Sequence, residues 1–171
     1  MGTTITTESP WWRTILIGRN PTRTLFRLVL LVIVVVGLRM FIFWPIRVQG
    51  MSMLPTYRDN QINVVNHLAY RWHEPQRGDV VAIRHSGTTV LLMKRIVALP
   101  GETVAFRGGK LLVNGTEQSE PYVRLKCSWQ MPPVQLGANE FFVVGDNRSM
   151  LIEDHYFGSA TRDRIIGKVL L

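Results

Sequence analysis

The apolar positions of this chain fall into two regimes. Leu25 to Trp44 reads LFRLVLLVIVVVGLRMFIFW, an almost continuous apolar run. Twenty residues in a helix span about 30 Å, the hydrocarbon thickness of a bilayer. Leu28 to Leu38 carries no polar side chain. Arg27 and Arg39 stand toward the ends, where long stems can carry a charge back to the headgroups. The pattern predicts a transmembrane helix over 25–44. A cleaved signal peptide is an alternative, because the uncharged run is short, but no small-x-small site follows it. A buried core helix is another, although it would have no polar face.

Beyond Trp44 the period shortens. Ile62–Val65, Asp79–Ile83, Thr89–Val97, Thr103–Phe106, Lys110–Val113, Glu140–Val144 and Ile165–Leu171 are short β-branched or apolar runs separated by Gly, Pro and Asn. Gly108-Gly109 reads as a tight hairpin and Asn114-Gly115 as a second turn. Tyr122–Gly137 contains Pro132-Pro133 and little periodicity, which reads as a loop or insertion. No helix is expected outside the apolar run, and no internal repeat is visible. The organisation expected is a polar tail over 1–24, an anchor over 25–44 and a mainly β, antiparallel domain over 45–171.

Charge refines this picture. The 171 residues hold 20 Lys+Arg against 12 Asp+Glu, a formal +8. Such a balance suits nucleic acid or an anionic membrane surface. Half of it, five Arg against one Glu, lies in residues 1–44. Arg13, Arg19, Arg23 and Arg27 precede the apolar run, so the positive-inside rule puts the N-terminus in the cytoplasm and the β domain outside. Trp11, Trp12 and Trp44 are candidates for the two interfaces. The longest basic pair in the β domain is Lys94-Arg95, without the clustered basic face and stacking aromatics of a nucleic-acid binder. The partner that the charge pattern favours is therefore a lipid bilayer, with no nucleic acid. A single cysteine, Cys127, excludes a disulfide framework and a Cys-based zinc site; no metal or cofactor is expected.

Three segments carry possible chemistry. Gly50-Met51-Ser52-Met53-Leu54-Pro55-Thr56 places a serine in an apolar, adaptable setting just past the anchor. Gly50 would let another backbone approach. Taken alone, Ser52 is as readily a turn residue before a proline. In Leu91–Val97, strand alternation puts Lys94 on one face with Leu92, Ile96 and Ala98. An edge lysine whose head reaches water is one reading. The other is a desolvated lysine, neutral near pH 7, able to take a proton from a serine hydroxyl. Lowering its pKa from about 10.4 to about 7 takes roughly 4.6 kcal/mol of differential solvation. Gly145-Asp146-Asn147-Arg148, after the apolar Phe141–Val144, is a turn signal in its own right.

In this order the segments resemble the type I signal peptidases, membrane-anchored serine proteases with a Ser/Lys dyad. Ser52–Thr56 matches the family's Ser-Met-x-Pro-Thr. Arg77–Val81 matches its Arg-Gly-Asp-Val-Val. Lys94-Arg95 with Leu99-Pro100-Gly101-Glu102 matches the next motif, and Gly145–Arg148 the last. The resemblance covers the anchor and about Arg47 to Leu171. It implies a signal-peptidase-like fold of packed antiparallel sheets. It implies Ser52 as nucleophile, Lys94 as general base and the Ser52 N–H as an oxyanion donor. Gly50 stands where some members have a serine that adds a donor. Asp146 and Ser149 would support the site. Met51, Met53, Leu54, Pro55, Leu92 and Met93 would line shallow pockets for Ala-x-Ala signal peptides of exported pre-proteins. The implied location is the cell membrane, single-pass.

One departure stands out. Counting from Gly145, Leu151 occupies the position of a family serine that hydrogen-bonds the lysine amine, Glu153 that of an aspartate, and His155 that of an arginine. Ser149 substituting, a water, or a slow or inactive enzyme are the outcomes left open. Leu151 is expected to make the surroundings of Lys94 more apolar, and Glu153 and Asp154 to act as ion-pair partners. The same motifs also fit an inactive peptide-binding subunit, or an organelle or conjugation-type processing peptidase.

Overall fold

The structure is a computed structural model that describes residues 20–84, 91–125, 127–155 and 158–170. The expectations for Trp11, Trp12 and the tail to Arg19, for Thr89-Val90, and for Leu171 lie outside these residues. The chain separates into two units, one ending at Phe41 and one beginning at Ile42.

The first unit holds helix α1, Pro21–Ile42, of 22 residues. Leu25, Phe26, the run Leu28–Val36, Leu38 and Met40 are all exposed, so apolar side chains cover every face of the helix. Among the described residues no helix is long and apolar enough to cross a membrane. Each 18-residue stretch between Thr22 and Met40 holds Arg23, Arg27 and Arg39 together.

The second unit is antiparallel β throughout. Its strands are β1 Phe43–Arg47, β2 Ile62–Asn66, β3 Val80–Arg84, β4 Leu91–Ala98, β5 Thr103–Arg107, β6 Lys110–Val113, β7 Thr116–Glu117, β8 Met131–Gln135, β9 Glu140–Val144, β10 Gly158–Thr161 and β11 Ile165–Leu170. They form a seven-stranded sheet, β1-β2-β11-β3-β4-β9-β10, and a four-stranded one, β7-β6-β5-β8. Besides α1, the described residues hold only two short 3-10 turns, Glu153–His155 and Arg162–Arg164.

The turns follow from their residues. Gly108-Gly109 joins Arg107 to its cross-strand partner Lys110, both glycines at positive φ, as a two-residue primed hairpin turn requires. Asn114-Gly115 does the same between Val113 and Thr116, at φ 51° and 79°. The stretch expected as a loop, Tyr122–Gly137, instead contains β8. Prolines survive there because β8 is an edge strand, where a missing N–H interrupts no ladder.

Successive residues of the central strands feed different cores. Val80, Ala82 and Met93 pack with Val48, Met53, Tyr57, Val65 and Val169. Val81, Ile83 and Ile96 pack with Phe141, Val143, Ala160 and Ile165. Between Ile96 and Ala98 the β4–β9 register shifts. Ala98 consequently joins Val97 in a third cluster with Phe106, Trp129 and Val144. The predicted face Leu92-Lys94-Ile96-Ala98 therefore ends at Ile96, because the bulge breaks the two-residue alternation.

Candidate active site

The turn after β1 carries Ser52. Three pieces of chain hold it. The Asn147 N–H donates to the Ser52 carbonyl at 3.0 Å, and Asn147 Nδ2 donates to the Met51 carbonyl at 3.0 Å. The Thr56 hydroxyl donates to Asp146 Oδ2 at 2.6 Å. Asp146, fully buried, is gripped by both arms of Arg95 at 2.8 and 2.6 Å. Arg95 also donates to the Gly78 carbonyl and stacks over Tyr122, 4.1 Å from the ring centre. The bidentate fork and the stacked ring compensate a carboxylate that has left water. The Gly-Asp-Asn turn after β9 thus fastens the serine turn to β4.

Gly145 explains why that fastening is tight. A Cβ there would fall on the Ser52 carbonyl and within 2.5 Å of His155 Cε1. Only glycine allows the two backbones this close. Gly50 behaves differently. A Cβ there would meet open space, and its φ of 96° is what favours glycine. Its N–H is committed to Asp59 Oδ1 at 2.8 Å, so Gly50 contributes no oxyanion donor. Among the described residues neither the N–H nor the hydroxyl of Ser52 has a hydrogen-bond partner.

Lys94 sits on β4, opposite Val81 of β3, and is 3% exposed. Burial lowers its pKa from 10.5 to about 8. The charged form has lost its water, and no carboxylate among the described residues repays the loss. Its Nζ donates at 2.7 Å to the main-chain carbonyl of His155. That contact is a further arrangement, beyond the outcomes left open by Leu151. Ser149 does not reach the lysine; its hydroxyl donates to Asn147 Oδ1 at 2.7 Å, closing a local turn. Leu151 is 68% exposed and does not make the lysine's surroundings apolar, because the 3-10 turn that follows brings a backbone carbonyl there instead. Glu153 and Asp154 pair with no cation among the described residues, since that turn leaves both exposed.

Ser52 and Lys94 line one cavity of about 550 Å³. Trp44, Ile46 to Gln49, Met53 and Leu91 to Met93 complete its wall. Of the expected peptide-lining residues, Met53, Leu92 and Met93 are there, Met53 and Met93 with most of their surface in the core. Met51, Leu54 and Pro55 are not among the lining residues. Along this wall β4 is half-paired. Leu91–Arg95 bonds to β3, but β9 begins its pairing only at Arg95. Among the described residues no strand takes the second edge of Leu91–Met93. Such an edge accepts an extended peptide.

The motifs, their spatial convergence and the sheets define a class, the Ser/Lys peptidases. The signal peptidase family, peptidase S26, matches residues 22–171, and the chain belongs to it. The similar proteins carry consistent names. A signal peptidase I of Leptolyngbya laminosa is 32% identical over 148 residues, covering 82% of this chain and 73% of that one. Signal peptidase I T of Bacillus subtilis is 31% identical over 151 residues, covering 82% and 78%. The crystal structure of a signal peptidase I from Enterococcus faecalis aligns with a TM-score of 0.48 at 27% identity, covering 57% of this chain and 97% of that one. Sequence reasoning missed the solvent-facing side chain of Leu151 and the His155 carbonyl that meets the lysine. A main-chain acceptor leaves no trace in residue identity.

Proposed function

We propose that this chain is a membrane-bound serine endopeptidase that removes N-terminal signal peptides from exported pre-proteins, with Ser52 as nucleophile and Lys94 as general base. The observation that carries it is a lysine 3% exposed, with its pKa near 8, in the same cavity as an unbonded serine hydroxyl. A lysine at about 8 supplies a usable fraction of neutral amine near neutral pH, which a solvated lysine does not. Ser52 attacks the scissile carbonyl and its proton passes to Nζ. The Ser52 N–H faces the developing oxyanion, Lys94 protonates the leaving amine, and a water deprotonated by Lys94 then cleaves the ester. The contact between the Ser52 hydroxyl and Nζ is expected to tighten when substrate fills the site. Asp146 and Asn147 hold the serine turn at the position attack needs.

The substrate enters as a strand along the open edge of Leu91–Met93, between β4 and the Ile46–Gln49 wall. Small side chains, the Ala-x-Ala pattern, suit a wall whose methionines are mostly committed to the core. The anchor reading rests on the sequence, since no described helix is by itself long and apolar enough to cross a membrane. Leu25–Ile42 includes only two arginines, each near an end, where snorkelling suffices. The four arginines before and at its start favour a cytoplasmic N-terminus, with residues 45–171 as the extracytoplasmic catalytic domain.

The full chain in detergent micelles is expected to cut a pre-protein after the second alanine of its Ala-x-Ala site. Phe in place of that alanine is expected to lower the rate at least about a hundredfold, because a bulky side chain overpacks a shallow wall. Mapping the new N-terminus by mass spectrometry checks both. An intact pre-protein, or equal cutting of the Phe version, would overturn the reading.

A further inference from the structure

His155 lies on the 3-10 turn Glu153–His155, is 0% exposed, and nothing in the proposed chemistry uses its ring. We propose that His155 is a positioning residue for Lys94. Its main-chain carbonyl aims the amine, and its neutral ring locks that carbonyl in place. The inference rests on the Ser52/Lys94 reading above.

The ring is held on three sides. Nε2 lies within hydrogen-bond distance of the Asn147 carbonyl. A carbonyl only accepts, so Nε2 carries the proton. Nδ1 is then the bare nitrogen, and it is buried with no hydrogen-bond partner among the described residues. A second proton on Nδ1 would face Lys94 from β4 and Arg148 from the loop after β9, the two cations that act on the ring. Burial and these charges hold the imidazole pKa near 4, so the ring stays neutral wherever the enzyme works. The indole of Trp129 meets the ring edge-on at 4.8 Å, and its Nε1 donates to the Met150 carbonyl at 2.9 Å, so one side chain braces both ends of the Met150–His155 segment. The third side is Gly145, against Cε1. Asn147, which accepts from the ring, is the residue that clasps the Ser52 and Met51 carbonyls. One residue thus ties the serine turn to the turn that orients the lysine.

The choice of a carbonyl has a chemical consequence. A neutral amine has two N–H donors and one lone pair. A hydroxyl neighbour can accept from the amine or donate to its lone pair, and in the second role it competes with Ser52. A carbonyl can only accept. It takes one N–H and leaves the lone pair for the serine proton. Among the described residues this carbonyl is the only acceptor of Lys94.

Three full-chain variants test this. His155→Leu keeps the volume and removes the donor to Asn147. Its kcat is expected to fall about ten- to a hundredfold, with KM nearly unchanged, because the base is misaimed. The acid limb of its kcat/KM profile is expected to move to lower pH, because an ammonium without its acceptor is disfavoured. His155→Gln restores a donor and is expected to recover most of kcat. Leu151→Ser is expected to leave kcat/KM within about twofold, since that side chain points to solvent and the lysine is already oriented. Parental kcat and acid limb in His155→Leu would overturn the proposal. So would a tenfold gain from Leu151→Ser, a result available even if the leucine variant does not fold. Cleavage that survives Ser52→Ala would instead overturn the underlying reading, and would do so whatever the His155 variants show.

Discussion

Lys94→Met is expected to abolish cleavage and, at the same time, to change how stability depends on pH. Loss of the base should cost at least about a thousandfold in kcat. The stability effect follows from proton linkage. The lysine's pKa is 10.5 unfolded and about 8 folded. Below 8 both states are protonated, and the folded state bears the full desolvation penalty. Between 8 and 10.5 the unfolded chain binds more protons, so stability rises with pH. Above 10.5 the penalty is gone. The parent should therefore gain on the methionine variant by about 3 kcal/mol as pH climbs through that window. Below pH 8 the variant lacks that penalty but leaves the His155 carbonyl without its donor, a loss of about 1–3 kcal/mol. The slope across the window is thus the cleaner measurement. Thermal melts of both chains in the same detergent at pH 7 and pH 10 read it. Parallel melting temperatures would mean that Lys94 is solvated.

Gly145→Ala carries the second large effect. The added methyl would occupy the space of the Ser52 carbonyl and press on His155. The Asn147–Ser52 bond must open, or the ring must leave its carbonyl. Either shift moves nucleophile or base, and a displacement near 1 Å costs about a hundredfold in rate. Overpacking should also lower stability by about 1–3 kcal/mol. The kcat of the variant, normalised to folded protein, separates the two effects. Unchanged kcat would show that the serine turn does not depend on this approach.

The strands that sequence patterning found and those it missed divide by position. β2, β3, β4, β5, β6, β9 and β11 were legible, and all seven lie inside a sheet. β1, β7, β8 and β10 were not, and they are the four edges. Interior strands need β-branched side chains on two buried faces, and that writes itself into the sequence. An edge tolerates Pro45 in β1 and Pro132-Pro133 in β8, and β1 is further hidden because Phe43 and Trp44 continue the apolar run of α1. The site shows a similar split. Ser52, Lys94 and Asp146 were legible through residue chemistry and through the family resemblance. The orientation of Leu151 was not, because a 3-10 turn of three residues rotates side chains in a way no periodicity announces. The His155 carbonyl was not, because every residue has one.

The central claim is that Ser52 is activated by Lys94. The rate at which a serine-directed acylating probe modifies Ser52, followed by intact-protein mass spectrometry from pH 5 to 10, tests it most directly. The account predicts one modification per chain, mapped to Ser52 and absent in Ser52→Ala, with a rate that rises through pH 8 and then levels. Labelling that maps elsewhere, or a rate indifferent to pH across that range, would contradict it.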